Sequence, residues 1–444
     1  MAAGARVVRA LDPAERYFWL LGEIGSVNAV LSVYAERTFE EGELAGALAA
    51  LQRRHPLLRA RVEVVDGEPV FVSTGGEIPL SIEPLGPGEP VPVAEMQVRP
   101  HPPAPHPLAR LVYLPIEGED RSVLVLVAHH VFVDGNAARF LLTQLAQVIE
   151  GGDAALGASD HVPPPLHDHF PESLRSPRAV VEILGAVRDE RSGQPAPSDF
   201  PFHARGARGL WPQHAILTLE GDGLSSFVAQ AKATGSTVTG AVGAVMLEAG
   251  AALFPTDEPR WLCLASATDL RPRVEPPLAL DDAQIAIGML CTPYMVSEAT
   301  RDTLARTIGE QILREVGRGE SHLFYRVARI GTYAPTEAGL AAFAKWVDAT
   351  PQNITVSSLG IIDDAGAPPW LRRLTTTMPA GSNQLAFVTS ATYRGELVIN
   401  VSTDSAKLPE EVADRFVAEI AARTGSRLEQ TTRYRPEGSP SEES

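Results

Sequence analysis

The sequence predicts an α/β (α+β) protein of two lobes, each built of mixed sheets flanked by helices, and three observations carry that expectation. The 444 residues exceed the roughly 250 to 300 at which a single core stops growing, so two cores are expected. Strand-like and helix-like apolar patterns alternate on both sides of a Gly/Pro/Ser-rich stretch at 151–178. Hydrophobic content of 44% with 21% charged residues is enough for each half to bury a core. The boundaries that follow are a first lobe at 1–175, a second at 176–434, and a disordered Pro/Gly/Ser/Glu tail at 435–444.

A helix is predicted over Glu40–Arg53, where Leu44, Ala47, Leu48 and Leu51 recur at three- and four-residue spacing and Pro56 ends the pattern. Arg59–Val65 and Pro69–Ser73 read as strands joined by the hairpin turn Asp66-Gly67. Residues 86–107 are dominated by Pro and Gly and read as a loop. Ala109–Leu114 and Ser122–Ala128 read as a second hairpin. The unbroken run Val123-Leu124-Val125-Leu126-Val127 marks a strand buried on both faces. Asn136–Glu150 is helical by period. The linker is expected at 151–178 and just beyond, with a further Pro/Gly-rich gap at 192–212.

The second half restarts with a strand at His214–Glu220, a helix at Leu224–Ala233 and a small-residue helix from Val238. Trp261–Ala267 is strand-like and Thr303–Val316 helical. Leu385–Tyr393 and Glu396–Ser402 form a hairpin turning at Arg394-Gly395, and Leu408–Arg423 is an amphipathic helix.

Charge and cysteine usage exclude several function classes. The 55 acidic and 38 basic residues leave a net charge of -17, which repels nucleic acid. The two cysteines, Cys263 and Cys291, have neither zinc nor redox spacing. Arg6 and Arg9 are not followed by an apolar stretch of signal-peptide type. The longest smooth apolar run, Val238–Leu253, falls short of the roughly 20 residues that span a bilayer. A cytoplasmic monomer without a transmembrane segment is expected.

The residues that carry chemistry are His129-His130-Val131-Phe132-Val133-Asp134-Gly135, placed between the buried strand and the helix after it. Acyl transfer from a thioester to an alcohol or amine needs a base of near-neutral pKa beside the nucleophile, and histidine fits best. A strand end fixes the backbone of such a residue and leaves its tip exposed. Adjacent residues of a strand point to opposite sides, so His129 and His130 are not both expected in one cavity. Asp134 is expected to hold the turn by pairing with an arginine, and Gly135 to permit a tight turn or close approach.

The same seven residues resemble the HHxxxDG motif of the superfamily that includes chloramphenicol acetyltransferase, nonribosomal peptide condensation domains, plant BAHD acyltransferases, wax ester synthases and polyketide-associated acyltransferases. Arg54-His55-Pro56-Leu57-Leu58-Arg59 and Asp269-Leu270-Arg271-Pro272-Arg273 are similar to the condensation and polyketide-associated branches, the latter most of all. The resemblance implies two chloramphenicol acetyltransferase-like lobes with an active-site tunnel between them, and an acyltransferase of the EC 2.3.1 type acting in polyketide or lipid biosynthesis. It implies His130 as catalytic base, with support from His129, Asp134, Gly135 and Arg271, the last pairing with Asp134. The implied donor is an acyl thioester on the phosphopantetheine of an acyl carrier protein or on coenzyme A. The implied acceptor is a secondary-metabolite or lipid alcohol. An amide-forming condensation enzyme and a non-catalytic carrier-binding member are the alternatives. No bound cofactor and no metal are expected. Ser357-Ser358-Leu359-Gly360 stands where many relatives carry a Ser-Asn-Gly-like turn, and no DFGWG motif is present.

Other candidates have plainer readings. His167-Asp168-His169 lies in the linker without further ligands at site-like spacing. Asp281-Asp282 reads as a solvated turn and Thr403-Asp404-Ser405 as a strand-end turn. Gly221-Asp222-Gly223 lacks the third glycine of a dinucleotide fingerprint. His55-Pro56 reads as a helix terminator with a packing role. Arg53-Arg54 and Arg372-Arg373 are candidates for a basic patch that would dock an acidic carrier.

Overall fold

The computed structural model describes residues 6–152, 156–279, 283–330, 333–350 and 352–436. The first half contributes β1 (Arg6–Ala10), β2 (Asn28–Ala35), β3 (Ala60–Val65), β4 (Glu68–Ser73), β5 (Leu80–Ile82), β6 (Ala109–Pro115) and β7 (Ser122–His129). The second contributes β8 (Pro212–Glu220), β9 (Arg260–Asp269), β10 (Ile287–Val296), β11 (Ile354–Ile361), β12 (Leu371–Thr377), β13 (Ala386–Tyr393), β14 (Glu396–Asp404) and β15 (Arg427–Arg433). Among the described residues three sheets result, with orders β1-β4-β3, β12-β2-β7-β6-β5 and β10-β9-β11-β13-β14-β8-β15. The two larger ones are the cores of the two lobes.

In the first lobe β7 is central. It pairs antiparallel with β2 and with β6, in a register that sets Asn28 opposite His129 and Ala109 opposite Ala128. Val123 to Ala128 are all buried, as a run without polar alternation demands. Leu124 and Leu126 face one core with the helices Glu41–Arg54 and Gly135–Gly151, while Val123, Val125 and Val127 face another with the helix Val93–Val98. That last helix corrects the loop expected over 86–107. It forms because Val93 and Met96 dock on the face of the sheet opposite those two helices.

In the second lobe Leu217, Leu264, Val356, Val388 and Ile399 form one face of the large sheet, covered by the helix Val238–Ala251. Small residues let that helix sit close to its neighbour, the helix Arg301–Gly317. A Cβ on Gly240 would lie 2.5 Å from the Ala305 carbonyl oxygen. The helix Pro177–Glu190, capped by Ser176, occupies ground expected to be linker. Ile183 is its one buried residue, so its apolar period is shallow. Glu190 ties it to the helix Arg301–Gly317 through Arg314 (2.9 Å) and to Arg318 just beyond (2.6 Å).

The lobes are joined by exchange of a strand. β12, from the second half of the chain, pairs antiparallel with β2 at the edge of the first lobe's sheet. Thr377 Oγ1 lies 3.1 Å from Ser402 Oγ on β14, and Gln97 Nε2 donates to the same oxygen at 2.9 Å. Among the described residues no helix is long and apolar enough to cross a membrane. Arg435 is ion-paired with Glu410 (2.6 Å), while 437–444 of the expected tail, like Asp281-Asp282, lies outside the described residues.

Candidate active site

His130 follows the last residue of β7 and is buried. Its backbone N–H donates to Val27 O at 3.0 Å. Nδ1 lies 2.5 Å from Val133 O, and a carbonyl only accepts, so Nδ1 carries the proton and Nε2 keeps the lone pair. Phe18 stacks on the ring at 4.0 Å between centroids. Burial pushes the imidazole pKa below its ordinary value, against the opposing pull of the Val133 carbonyl and the Asp134 carboxylate.

His130 lines a cavity between the lobes. The first lobe supplies Phe18, Leu21 and Ile24 from the helix Pro13–Ile24; the second supplies Met289 of β10, Ser357 of β11 and Phe387 of β13. The expected tunnel between lobes is thus a space to which both lobes contribute.

His129 has different surroundings. Its Nδ1 accepts from Val131 N–H at 3.0 Å, so its proton sits on Nε2. A Cβ on Gly22 would lie 2.5 Å from that Nε2, and only a glycine lets the helix Pro13–Ile24 cross here. Burial pushes its pKa down to about 3, with neighbouring His130 adding to the fall. His101, whose Nε2 lies 2.8 Å from Asn28 Oδ1, has its ring centroid 6.2 Å from that of His129.

Asp134 caps the helix Gly135–Gly151: Oδ1 accepts from Ala137 N–H at 2.8 Å. Oδ2 accepts from Arg271 Nη1 at 2.9 Å and from Ala286 N–H at 2.7 Å, and Arg271 Nη2 reaches Oδ1 at 3.2 Å. Arg271 also donates to Gln284 O at 2.8 Å. Their side chains are 0% and 2% exposed. Burial alone would raise the Asp134 carboxyl, yet the Arg271 guanidinium and the two backbone donors hold it below its ordinary value. A Cβ on Gly135 would lie 2.8 Å from Leu359 Cδ2, so Gly135 serves the approach of β11 and borders the cavity.

Other residues singled out from the sequence lie apart from this centre or in supporting places. His55 closes the helix Glu41–Arg54, its N–H donating to Leu51 O at 2.8 Å and its Nε2 lying 2.5 Å from Gln144 Oε1. His167-Asp168-His169 lies in a short turn, Leu166–His169, where the two members of the pair His167–Asp168 are 3.6 Å apart. Arg373 corrects the basic patch expected at Arg372-Arg373: it is taken up by Glu396 (2.5 Å) and Glu429 (2.5 Å) across β12, β14 and β15.

Sequence reasoning passed over Phe18 and its helix, although Asp12-Pro13-Ala14-Glu15 is a capping-box signal with proline at the first position. The box is formed: Glu15 N–H donates to Asp12 Oδ1 at 2.8 Å and Asp12 N–H to Glu15 Oε2 at 2.7 Å.

The family model described as the phthiocerol/phthiodiolone dimycocerosyl transferase C-terminus matches residues 213–402. Surfactin synthase subunit 2 of Bacillus subtilis is 28% identical over 152 residues, 33% of this chain and 4% of that protein, so the match spans a small fraction of this relative. The solved trichothecene 15-O-acetyltransferase of Fusarium sporotrichioides shares the fold with a TM-score of 0.70 at 13% identity, over 95% of this chain and 94% of that one. Polyketide synthase associated protein 5 of Mycobacterium tuberculosis does so with a TM-score of 0.62 at 17% identity, over 95% and 99%. In fold, and over residues 213–402, the chain is similar to condensation-domain-like acyltransferases. It shares the two-lobed architecture of these solved structures over nearly its whole length. The region matched by the family model begins in β8 and ends in β14, and includes Arg271 and Ser357.

Proposed function

We propose that the protein is an O-acyltransferase that moves an acyl group from a thioester to a hydroxyl, with His130 as general base. One observation carries the reading. With its Nδ1 proton committed to the Val133 carbonyl, His130 has the Nε2 lone pair to offer in a cavity shared by both lobes. Nε2 takes the acceptor's hydroxyl proton as the oxygen attacks the thioester carbonyl. The C–O bond forms, the C–S bond breaks as the tetrahedral intermediate collapses, and the imidazolium returns the proton to the leaving thiolate. No covalent enzyme intermediate is required.

The donor in this reading is an acyl group on the phosphopantetheine of a carrier protein or on coenzyme A, and the acceptor is a secondary-metabolite or lipid alcohol. The names of the similar proteins, an O-acetyltransferase and a dimycocerosyl transferase, support ester formation. The test is a panel of acyl thioesters of graded length, on coenzyme A and on carrier protein, offered with matched alcohol and amine acceptors and read by intact product mass. Ester products are expected. Products formed with amines alone would replace the reading with amide synthesis, and no product with any pair would remove it.

A further inference from the structure

A buried ammonium in the cavity wall has no part in the chemistry of His130. Lys407 lies just beyond β14, is 5% exposed, and lines the cavity. It is ion-paired with Asp404, itself 2% exposed. The plain reading is a clip that pins the turn after the strand, but Asp404 already does this without the lysine. Its Oδ1 accepts from Trp211 N–H at 2.9 Å and Ala406 N–H at 3.0 Å. Placing an ammonium out of water is costly unless its donors are used, and a lysine has three.

The surroundings sharpen the point. Arg208 also lines the cavity but is taken up by Asp348 at 2.6 Å. His203, which faces Lys407, Asp404, Arg205 and Asp199, is pushed by burial down to about 4 and is neutral at physiological pH. The helix Pro13–Ile24 gives the cavity its apolar wall, while Gln384, Asn383, Ser382 and Lys407 give it a polar one.

We propose that Lys407 is a specificity determinant whose ammonium receives an anionic oxygen group, a phosphate or a carboxylate, on a substrate whose hydrocarbon part lies against the apolar wall. The proposal rests on the acyltransferase reading of the cavity. Two substrate pairs distinguish the source of the anion. Acyl-coenzyme A against the same acyl group on N-acetylcysteamine tests phosphate, and an alcohol with and without a carboxylate tests the acceptor.

The variant Lys407→Met, and the charge-neutral double variant Asp404→Asn with Lys407→Met in case the lone carboxylate disturbs folding, should raise KM roughly tenfold to hundredfold for the anionic member of one pair. The neutral members should change less than about twofold. Calorimetric affinity for free coenzyme A or for the carboxylated alcohol should fall by the same factor, and this readout does not depend on turnover. Failure of the acyltransferase reading and failure of the Lys407 assignment are therefore separable. Equal losses for charged and neutral members, or no loss for either, would overturn the assignment.

Discussion

His129 and His130 share a side chain and a strand end, yet their rings are used in opposite senses. At His130 the backbone offers a carbonyl, Val133 O, and takes the Nδ1 proton; at His129 it offers an N–H, that of Val131, and takes the Nδ1 lone pair. One imidazole is left with a base to present to the cavity, and the other with a proton packed beneath Gly22. The difference teaches that the role of a histidine is set by which nitrogen the main chain claims. The doublet alone does not decide it.

The largest effect is expected at the cavity-facing ring. His130→Ala should lower kcat/KM by roughly a hundredfold to ten-thousandfold while leaving the thermal midpoint within a few degrees of the parent, and a near-parental rate would break the contrast. Next in size is the pair that anchors the turn after both histidines. Asp134→Ala strands the buried Arg271 guanidinium and should cost about 3 to 5 kcal/mol in denaturant unfolding. Asp134→Leu with Arg271→Met should recover part of that loss. A single variant as stable as the parent would show that the pair is not what fixes the loop.

On the opposite side of the strand end, Gly22→Ala drives a methyl against His129 Nε2 and should destabilise by roughly 1 to 3 kcal/mol. His129→Ala in the same chain should remove most of the penalty, a coupling absent if the contact is irrelevant. The pH dependence of stability separates the rings further. His129 is held near 3 when folded against about 6.5 when unfolded, so between these values the unfolded chain binds the extra proton. Stability is therefore full above about 6.5 and falls as pH drops toward 3. His129→Gln should flatten that fall, and parallel curves for the two chains would contradict the assignment. The smallest effect is a shift in rate: with the His130 pKa lowered, the acid limb of kcat/KM should lie below about 6.5, and a limb above it would point to another base.

What the sequence made legible was local. The run Val123–Val127 announced β7 because a strand covered on both faces needs no polar alternation. The hairpin turns at Asp66-Gly67 and Arg394-Gly395 are formed with positive φ at all four residues (52°, 84°, 47° and 76°), as tight hairpins favour. The pairing of Asp134 with Arg271 came from resemblance, since no spacing rule joins residues 137 positions apart. β12 stayed hidden because Leu371–Thr377 is rich in Arg and Thr and finds its partner, β2, more than 300 residues away. Lys407 was hidden for a related reason. Asp404 reads as a turn residue, and only the cavity gives its lysine another use.

The strand exchange between lobes has a mechanical consequence. β12 is stitched to β2 along Leu371 to Thr377, with Thr377 and Gln97 meeting at Ser402. Swinging the lobes apart like the covers of a book would have to unzip that seam and expose its main-chain groups. Substrates must therefore thread the cavity through its rims, and the two halves should melt in one transition because neither sheet is complete until the chain has crossed back.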